Sequence, residues 1–224
     1  MRTYAGGVPF KDRKHAGIKL TQCPTLHDLQ DPVVVALPRG AVLVAIEVAD
    51  FLKAPLTVMP VEEVATPGKP EYVVGAVAEN AIRVIDADAL AALGVTEDSI
   101  AVRVAEATAR IARLSKLYRG EERHTAVTAG RPVVVVDDGS ATVPALEAVA
   151  MAMARHNVAS TWLLTPTIPP GEIHGYDRIA GPEHSPRDVE DIALVGTWYD
   201  EPSAPSDEVA AEIVREFNAV RQAG

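Results

Sequence analysis

The chain has 224 residues, 48% hydrophobic and 23% charged, enough apolar material for one globular unit with a sizeable core. A formal net charge of −10 argues against non-specific attraction to nucleic acid or to an anionic membrane, so the expected partner is a small molecule. The start MRTYAGGVPFKDRKHAG has no apolar export core, no apolar run approaches the ~20 residues of a membrane span, and the lone Cys23 excludes an internal disulfide; a cytoplasmic location is expected.

In chain order, Asp12, Arg13 and His15 fall on an N-terminal helix, read as packing and ion-pairing against the body. PVVVAL (Pro32 to Leu37) is apolar on both faces, the signature of a central parallel strand covered by helices. A helix over Ala41 to Lys53 follows, then strands PLTVMPV (Pro55 to Val61) and AIRVI (Ala81 to Ile85). Thr96 is an N-cap ahead of Glu97 and Asp98, and Ile100, Val104, Ala107, Ile111, Leu114 and Tyr118 form one apolar stripe. The opposite side of that helix carries Arg103, Arg110, Arg113 and Lys116, read as a solvated face with Glu106 and Arg110 paired at i,i+4. RPVVVVD (Arg131 to Asp137) is a second strand apolar on both faces, followed by a helix over Ala145 to His156, strands ASTWLLT (Ala159 to Thr165) and DIALV (Asp191 to Val195), and a last helix over Ser206 to Gln222. His174, Tyr176 and His184 lie in a polar stretch without metal-ligand spacing, and Trp162 and Trp198 are read as core.

This alternation predicts an α/β fold with a mostly parallel sheet flanked by helices, whose chemistry gathers at the carboxyl ends of the strands. Two stretches stand there. Pro38-Arg39-Gly40 turns from a strand into a helix, so that backbone N–H groups and a guanidinium face an anion together. Asp137 and Asp138 end another strand, with Gly139-Ser140-Ala141-Thr142 as the turn. Two carboxylates there can accept hydrogen bonds from vicinal hydroxyls, help hold a divalent cation, or simply cap the next helix.

FKDRKHAGIKL, VVVALPRGAVLVA, VEEVATPGKPEYVVGAVAE, VVVVDDGSAT and VGTWYDEPSAPSDEV, in that order, resemble the type I phosphoribosyltransferases, within a bacterial branch known chiefly by similarity. The resemblance implies a single domain over 1–224, with a core of about 31–166 and a small hood region plus C-terminal helix over 167–224. It implies phosphoribosyl pyrophosphate as the phosphorylated ligand, with Mg²⁺ on the leaving group whenever that ligand is bound, no resident metal, and a homodimer. It places Asp137 and Asp138 on the ribose hydroxyls. The 5′-phosphate falls to the loop Gly139, Ser140, Ala141, Thr142, Val143, Pro144 and Ala145, and pyrophosphate to Pro38, Arg39 and Gly40 with Glu62, Glu63 and Lys69. No residue is assigned as catalytic.

Branch members write VRKIGAPGNPE and DDGIATGAT at two of these places. Here Glu62 and Glu63 stand for an Arg-Lys pair, Lys69 stands for Asn, and Val143-Pro144-Ala145 replace Gly-Ala-Thr; proline has no N–H to give. Pro144 also suits the first turn of a helix. A lost hydroxyl and a lost loop N–H weaken phosphate binding by about two to four powers of ten. The expected function is binding of a phosphorylated ribose or nucleotide-like ligand with phosphoribosyl transfer weakened or lost. An active phosphoribosyltransferase acting on a base, and a non-catalytic interaction protein, are the alternatives.

Overall fold

The two all-apolar runs become the centre of the sheet because nothing in them can face water. Val33–Ala36 (β1) and Pro132–Val136 (β6) pair in parallel, Val33 opposite Val133 through Ala36 opposite Val136, and every residue of β1 is fully buried. The computed structural model describes residues 10–120, 128–169, 171–181 and 198–222. The main sheet has the order β2-β1-β6-β7-β8 and all its pairings are parallel, with Leu56–Val58 as β2, Ser160–Leu164 as β7 and Arg178–Ala180 as β8. The predicted strand over Asp191 to Val195 lies outside the described residues.

Strand alternation divides the core in two. Val34, Ala36, Val134 and Val136 point to one face, where α2 (Gly40–Leu52), the end of α4 (Glu97–Arg119) and α6 (Asp207–Gln222) contribute Val44, Val48, Leu114, Tyr118, Ala210 and Val214. Val33, Val35, Val133 and Val135 point to the other, against Leu146, Val149 and Met153 of α5 (Val143–Arg155). The N-terminal helix α1 (Arg13–Leu20) is present, capped by Asp12, whose side chain accepts from the His15 N–H at 2.7 Å, and it packs on α2 with Gly17 at the contact.

Two expectations need correction. The run Pro55 to Val61 is not one strand: it ends at Val58, passes through Met59-Pro60 and restarts as β3 (Val61–Thr66), because proline cannot donate to a ladder. β3 pairs antiparallel with β4 (Lys69–Ala78), which pairs antiparallel with β5 (Ile82–Ile85), so AIRVI belongs to a separate three-stranded sheet and not to the parallel one. That small sheet, with α3 (Ala87–Leu93), has its own core of Val64, Val74, Val77, Leu90, Ile100, Ala107 and Ile111. Helix α4 thus starts where expected, its Thr96 cap accepting from Ser99 N–H, but its single apolar stripe serves two cores in succession.

Candidate functional site

The β6 exit makes the most heavily hydrogen-bonded turn of the sheet edge. Asp137, 1% exposed, folds its Oδ2 back to accept from the N–H of Gly139 at 2.8 Å and of Ala141 at 3.4 Å, with the Thr165 hydroxyl at 3.3 Å. Its Oδ1 is buried and accepts no hydrogen bond among the described residues. Gly139 sits at φ 89°, and a Cβ there would overlap the Thr167 hydroxyl, so the turn requires glycine. Burial, reinforced by the neighbouring Asp138, pushes the Asp137 carboxyl up to about 7.

Asp138 is held from three parts of the chain. Its Oδ2 accepts from Arg13 Nε at 2.7 Å and its Oδ1 from Ser140 Oγ at 2.6 Å, while the Tyr199 hydroxyl donates to its backbone carbonyl at 2.7 Å. Arg13 is itself buried; its Nη1 donates to the carbonyls of Pro202 at 2.6 Å and Ser203 at 3.0 Å, and its guanidinium lies 4.8 Å from the centre of the Tyr199 ring. Gly40 lies against the same pair, where a Cβ would overlap both the Asp138 carboxylate and the Arg13 guanidinium. The β1–α2 turn is thereby pressed onto the β6 turn, and that closeness forces Gly40.

Arg39, one residue earlier, has φ 61° and ψ −100°, a conformation that costs a non-glycine residue roughly 1–3 kcal/mol. Its N–H donates to Tyr118 Oη at 3.4 Å, and Tyr118 donates in turn to Asp207 at 2.9 Å. Its side chain is exposed, and among the described residues the guanidinium makes no hydrogen bond or ion pair. Burial and the Asp207 carboxylate raise the Tyr118 hydroxyl far above its ordinary value, so it stays a donor.

Glu62 and Glu63 do not face one place. Strand alternation sends them to opposite sides of β3. Glu62 meets Arg110 of α4 at 2.8 Å, with Asp207 3.8 Å from the same guanidinium, and burial raises its carboxyl against the pull of Arg110. Arg110 is therefore paired across elements and not with Glu106, which bonds Arg103 instead. Glu63 crosses to the other turn, where its Oε1 accepts from the Thr142 N–H at 3.1 Å.

Of the remaining loop residues, Val143 and Pro144 open the first turn of α5, as proline's fixed φ favours, and Ala145 is buried in the core beside Leu146. Ala145 thus faces the core. Thr142 is the N-cap residue, yet its Oγ1 is buried without a partner. Lys69 stands at the tip of the β3–β4 hairpin over the Tyr72 ring at 5.8 Å, and makes no ion pair with Glu62 or Glu63. His15 accepts from the Lys11 N–H, His174 pairs with Glu147 and Glu172, and Tyr176 donates to the Leu146 carbonyl; His184 lies outside the described residues. Trp162 is partly buried in the main core with Arg178 over its ring at 5.0 Å, and Trp198 packs on the cluster of Phe10, Ala16 and Tyr199.

The structure brings Asp137, Asp138 and Gly40 together where β1 and β6 end, with Arg39 next to Gly40, Glu63 reaching the turn after Asp138 and Glu62 turned the other way to Arg110. Sequence reasoning missed that Arg13 and Tyr199 join it, and that Arg110, Tyr118 and Asp207 stand behind Arg39 and Glu62. An arginine in an N-terminal helix reads as a surface charge unless its burial is known.

The parallel sheet thus ends in an acidic turn beside a strained arginine turn. Residues 19–166 match the phosphoribosyl transferase domain, and the chain belongs to that family. Two Mycobacterium tuberculosis proteins, MT0597 of strain CDC 1551 and Rv0571c of strain H37Rv, each carrying the name "Putative phosphoribosyl transferase", are 35% identical over 163 residues, 71% of this chain. The chain spans only 36% of the length of either relative. The crystal structure of TT1426 from Thermus thermophilus is similar at 30% identity and a TM-score of 0.68, covering 93% of this chain and 98% of that one. Among the described residues no helix is long and apolar enough to cross a membrane.

Proposed function

We propose that this chain binds a ribose-bearing, nucleotide-like ligand between the Asp137–Asp138 turn and the Arg39 turn, and that phosphoribosyl transfer is weakened in it. The observation that carries this reading is the Glu63 carboxylate on the Thr142 N–H. That N–H begins α5, where a helix N-terminus favours an anion, and an internal anion already uses it. A 5′-phosphate must displace Glu63 and then sit beside its charge, with no N–H available from Pro144. On the pyrophosphate side, Arg110 is occupied by Glu62 and Asp207, which leaves Arg39 as the cation of that turn whose guanidinium makes no hydrogen bond or ion pair among the described residues, although its charge also acts on Glu62.

Mg²⁺ accompanies pyrophosphate chemistry in this family. Among the described residues no cluster of three or more His, Cys, Asp or Glu side chains forms a metal cage. Each Asp138 oxygen already accepts one hydrogen bond, from Arg13 or Ser140, with the Arg13 cation beside it, and the oxygen of the acidic pair that accepts none among the described residues, Asp137 Oδ1, is buried. The residues present do not fit a protein-held ion, and no step is assigned to one.

The test is a titration with phosphoribosyl pyrophosphate and Mg²⁺, for which we expect a Kd above about 1 mM. Glu63→Ala combined with Val143→Gly and Pro144→Ala frees the Thr142 N–H and adds another donor; ribose 5-phosphate should then bind at least about tenfold more tightly. Ala145 is left alone because a larger side chain there would overpack the core. Micromolar, Mg²⁺-dependent binding by the unaltered protein overturns the reading and favours a working transferase. The strained Arg39 turn and the Gly40 contact support that second reading.

A further inference from the structure

We infer that Arg13 is a positioning residue of this site: its contact with Asp138 orients the carboxylate for the ribose hydroxyls and ties ligand binding to the segment around Tyr199–Ser203. The inference rests on the reading that the acidic turn takes a ribose.

A carboxylate has about four acceptor directions, two on each oxygen. Arg13 Nε uses one on Oδ2 and Ser140 Oγ one on Oδ1, so each Asp138 oxygen keeps one direction for a ligand hydroxyl. Two protein donors on two different oxygens fix the carboxylate plane, which a single donor cannot do. Arg13 in turn has no freedom of its own. Two carbonyls hold its Nη1, the Tyr199 ring covers it, and the position of the absent Gly40 Cβ is filled by the pair itself. The Tyr199 hydroxyl completes the frame by donating to the Asp138 carbonyl. Burial and the Asp138 charge raise this hydroxyl well above its ordinary value, so it remains a donor over the whole working pH range.

A guanidinium whose only role was to neutralise a buried acid would need none of this bracing from residues 190 positions away. Lysine fits the alternative of simple neutralisation and cannot reproduce the frame, since it lacks the planar fork that bonds Asp138 through Nε while Nη1 reaches the carbonyls.

The experiment compares ribose 5-phosphate with 2-deoxyribose 5-phosphate by NMR shift titration of the full chain, which reads millimolar affinities. The unaltered protein should prefer the ribose form at least about fivefold, because only it offers both hydroxyls. Arg13→Gln should bring that preference to near unity, and Arg13→Lys should restore less than half of it. Damage to the fold alone would weaken both ligands alike and leave their ratio in place. Arg13→Gln in an Asp138→Asn background should change affinity by less than twofold, since the group it positions is already altered. A preserved ratio in folded Arg13→Gln or Arg13→Lys overturns the inference while leaving the ribose reading intact. If the unaltered protein shows no preference, or binds neither sugar phosphate, the ribose reading falls and the inference with it. Should Arg13→Gln fail to fold, Arg13→Lys decides alone, full retention of the ratio counting against the frame.

Discussion

At the scale of single residues, the charge of Asp137 changes within the neutral pH range. Its carboxyl lies near 7 because it is buried and stands next to Asp138, whereas in an unfolded chain it titrates near ~3.9. Between those values the folded protein keeps a proton that the unfolded chain has released. Its stabilising contribution is therefore complete below about pH 4 and is lost as pH rises through about 7. We expect Asp137→Asn to flatten this dependence: the unfolding free energy of the unaltered protein, read from urea titrations, should fall between pH 5 and pH 8 by an amount on the order of a few kcal/mol, and the variant's should fall much less. An equal slope in both would assign the dependence to other groups. Asp137 and Asp138 were legible as a pair from DDGS at a strand end, yet their division of labour was not. One turns inward to brace its own loop and the other is shared with Arg13, and only the fold decides which.

At the scale of elements, the charge reversal at Glu62 is compensated across a helix–strand contact. The pair Arg110–Glu62 joins α4 to β3 with Arg110 nearly half exposed, so its worth to stability is at most about 1 kcal/mol. Returning an arginine at 62 alone would set it against Arg110 and Arg39, and we expect that variant to be less stable and to gain little for pyrophosphate. The exchange Glu62→Arg with Arg110→Glu keeps the pair and moves the cation to β3. It should recover part of the stability, since Glu at 110 then stands against Asp207, and raise pyrophosphate affinity several-fold, with a gain that shrinks as salt rises. Equal pyrophosphate affinity in the exchanged and unaltered proteins would show that neither position faces the ligand. The long α4 helix was readable from its cap and its stripe, because both are local signals. Its pairing with β3 was not, because i,i+4 spacing along the helix suggested Glu106, and the hairpin that carries Glu62 was hidden behind the Pro60 break.

At the scale of the whole molecule, the parallel sheet was legible wherever a run of β-branched residues had no polar face, as in Val33–Ala36 and Val133–Val136. The short edge strand Arg178–Ala180 was not, since two of its three residues are exposed and carry no periodic signal. Beyond these elements, the first and last described stretches run side by side: Phe10 bridges Tyr199 in parallel, Asp200 N–H bonds the Phe10 carbonyl at 3.1 Å and Glu201 N–H the Lys11 carbonyl at 2.9 Å. For a protein made from its N-terminus onward this has a consequence in time. Arg13 leaves the ribosome 190 residues before the Ser203 carbonyl that holds it, a wait of about 10–40 s at ~5–20 residues per second. Through the last third of that interval, from Asp138 to Ser203, β1, β6 and α2 are already made, and Asp138 has its partner without the brace around it. The contact that closes the site is also among those of longest sequence separation, whose loop entropy is met last. Trp198 reports this closure and Trp162 the sheet, so refolding of Trp162→Phe, with Trp198 as the sole tryptophan, should show its fluorescence change trailing the recovery of backbone circular dichroism. Simultaneous recovery of the two signals would mean that the ends of the chain meet as early as the strands between them.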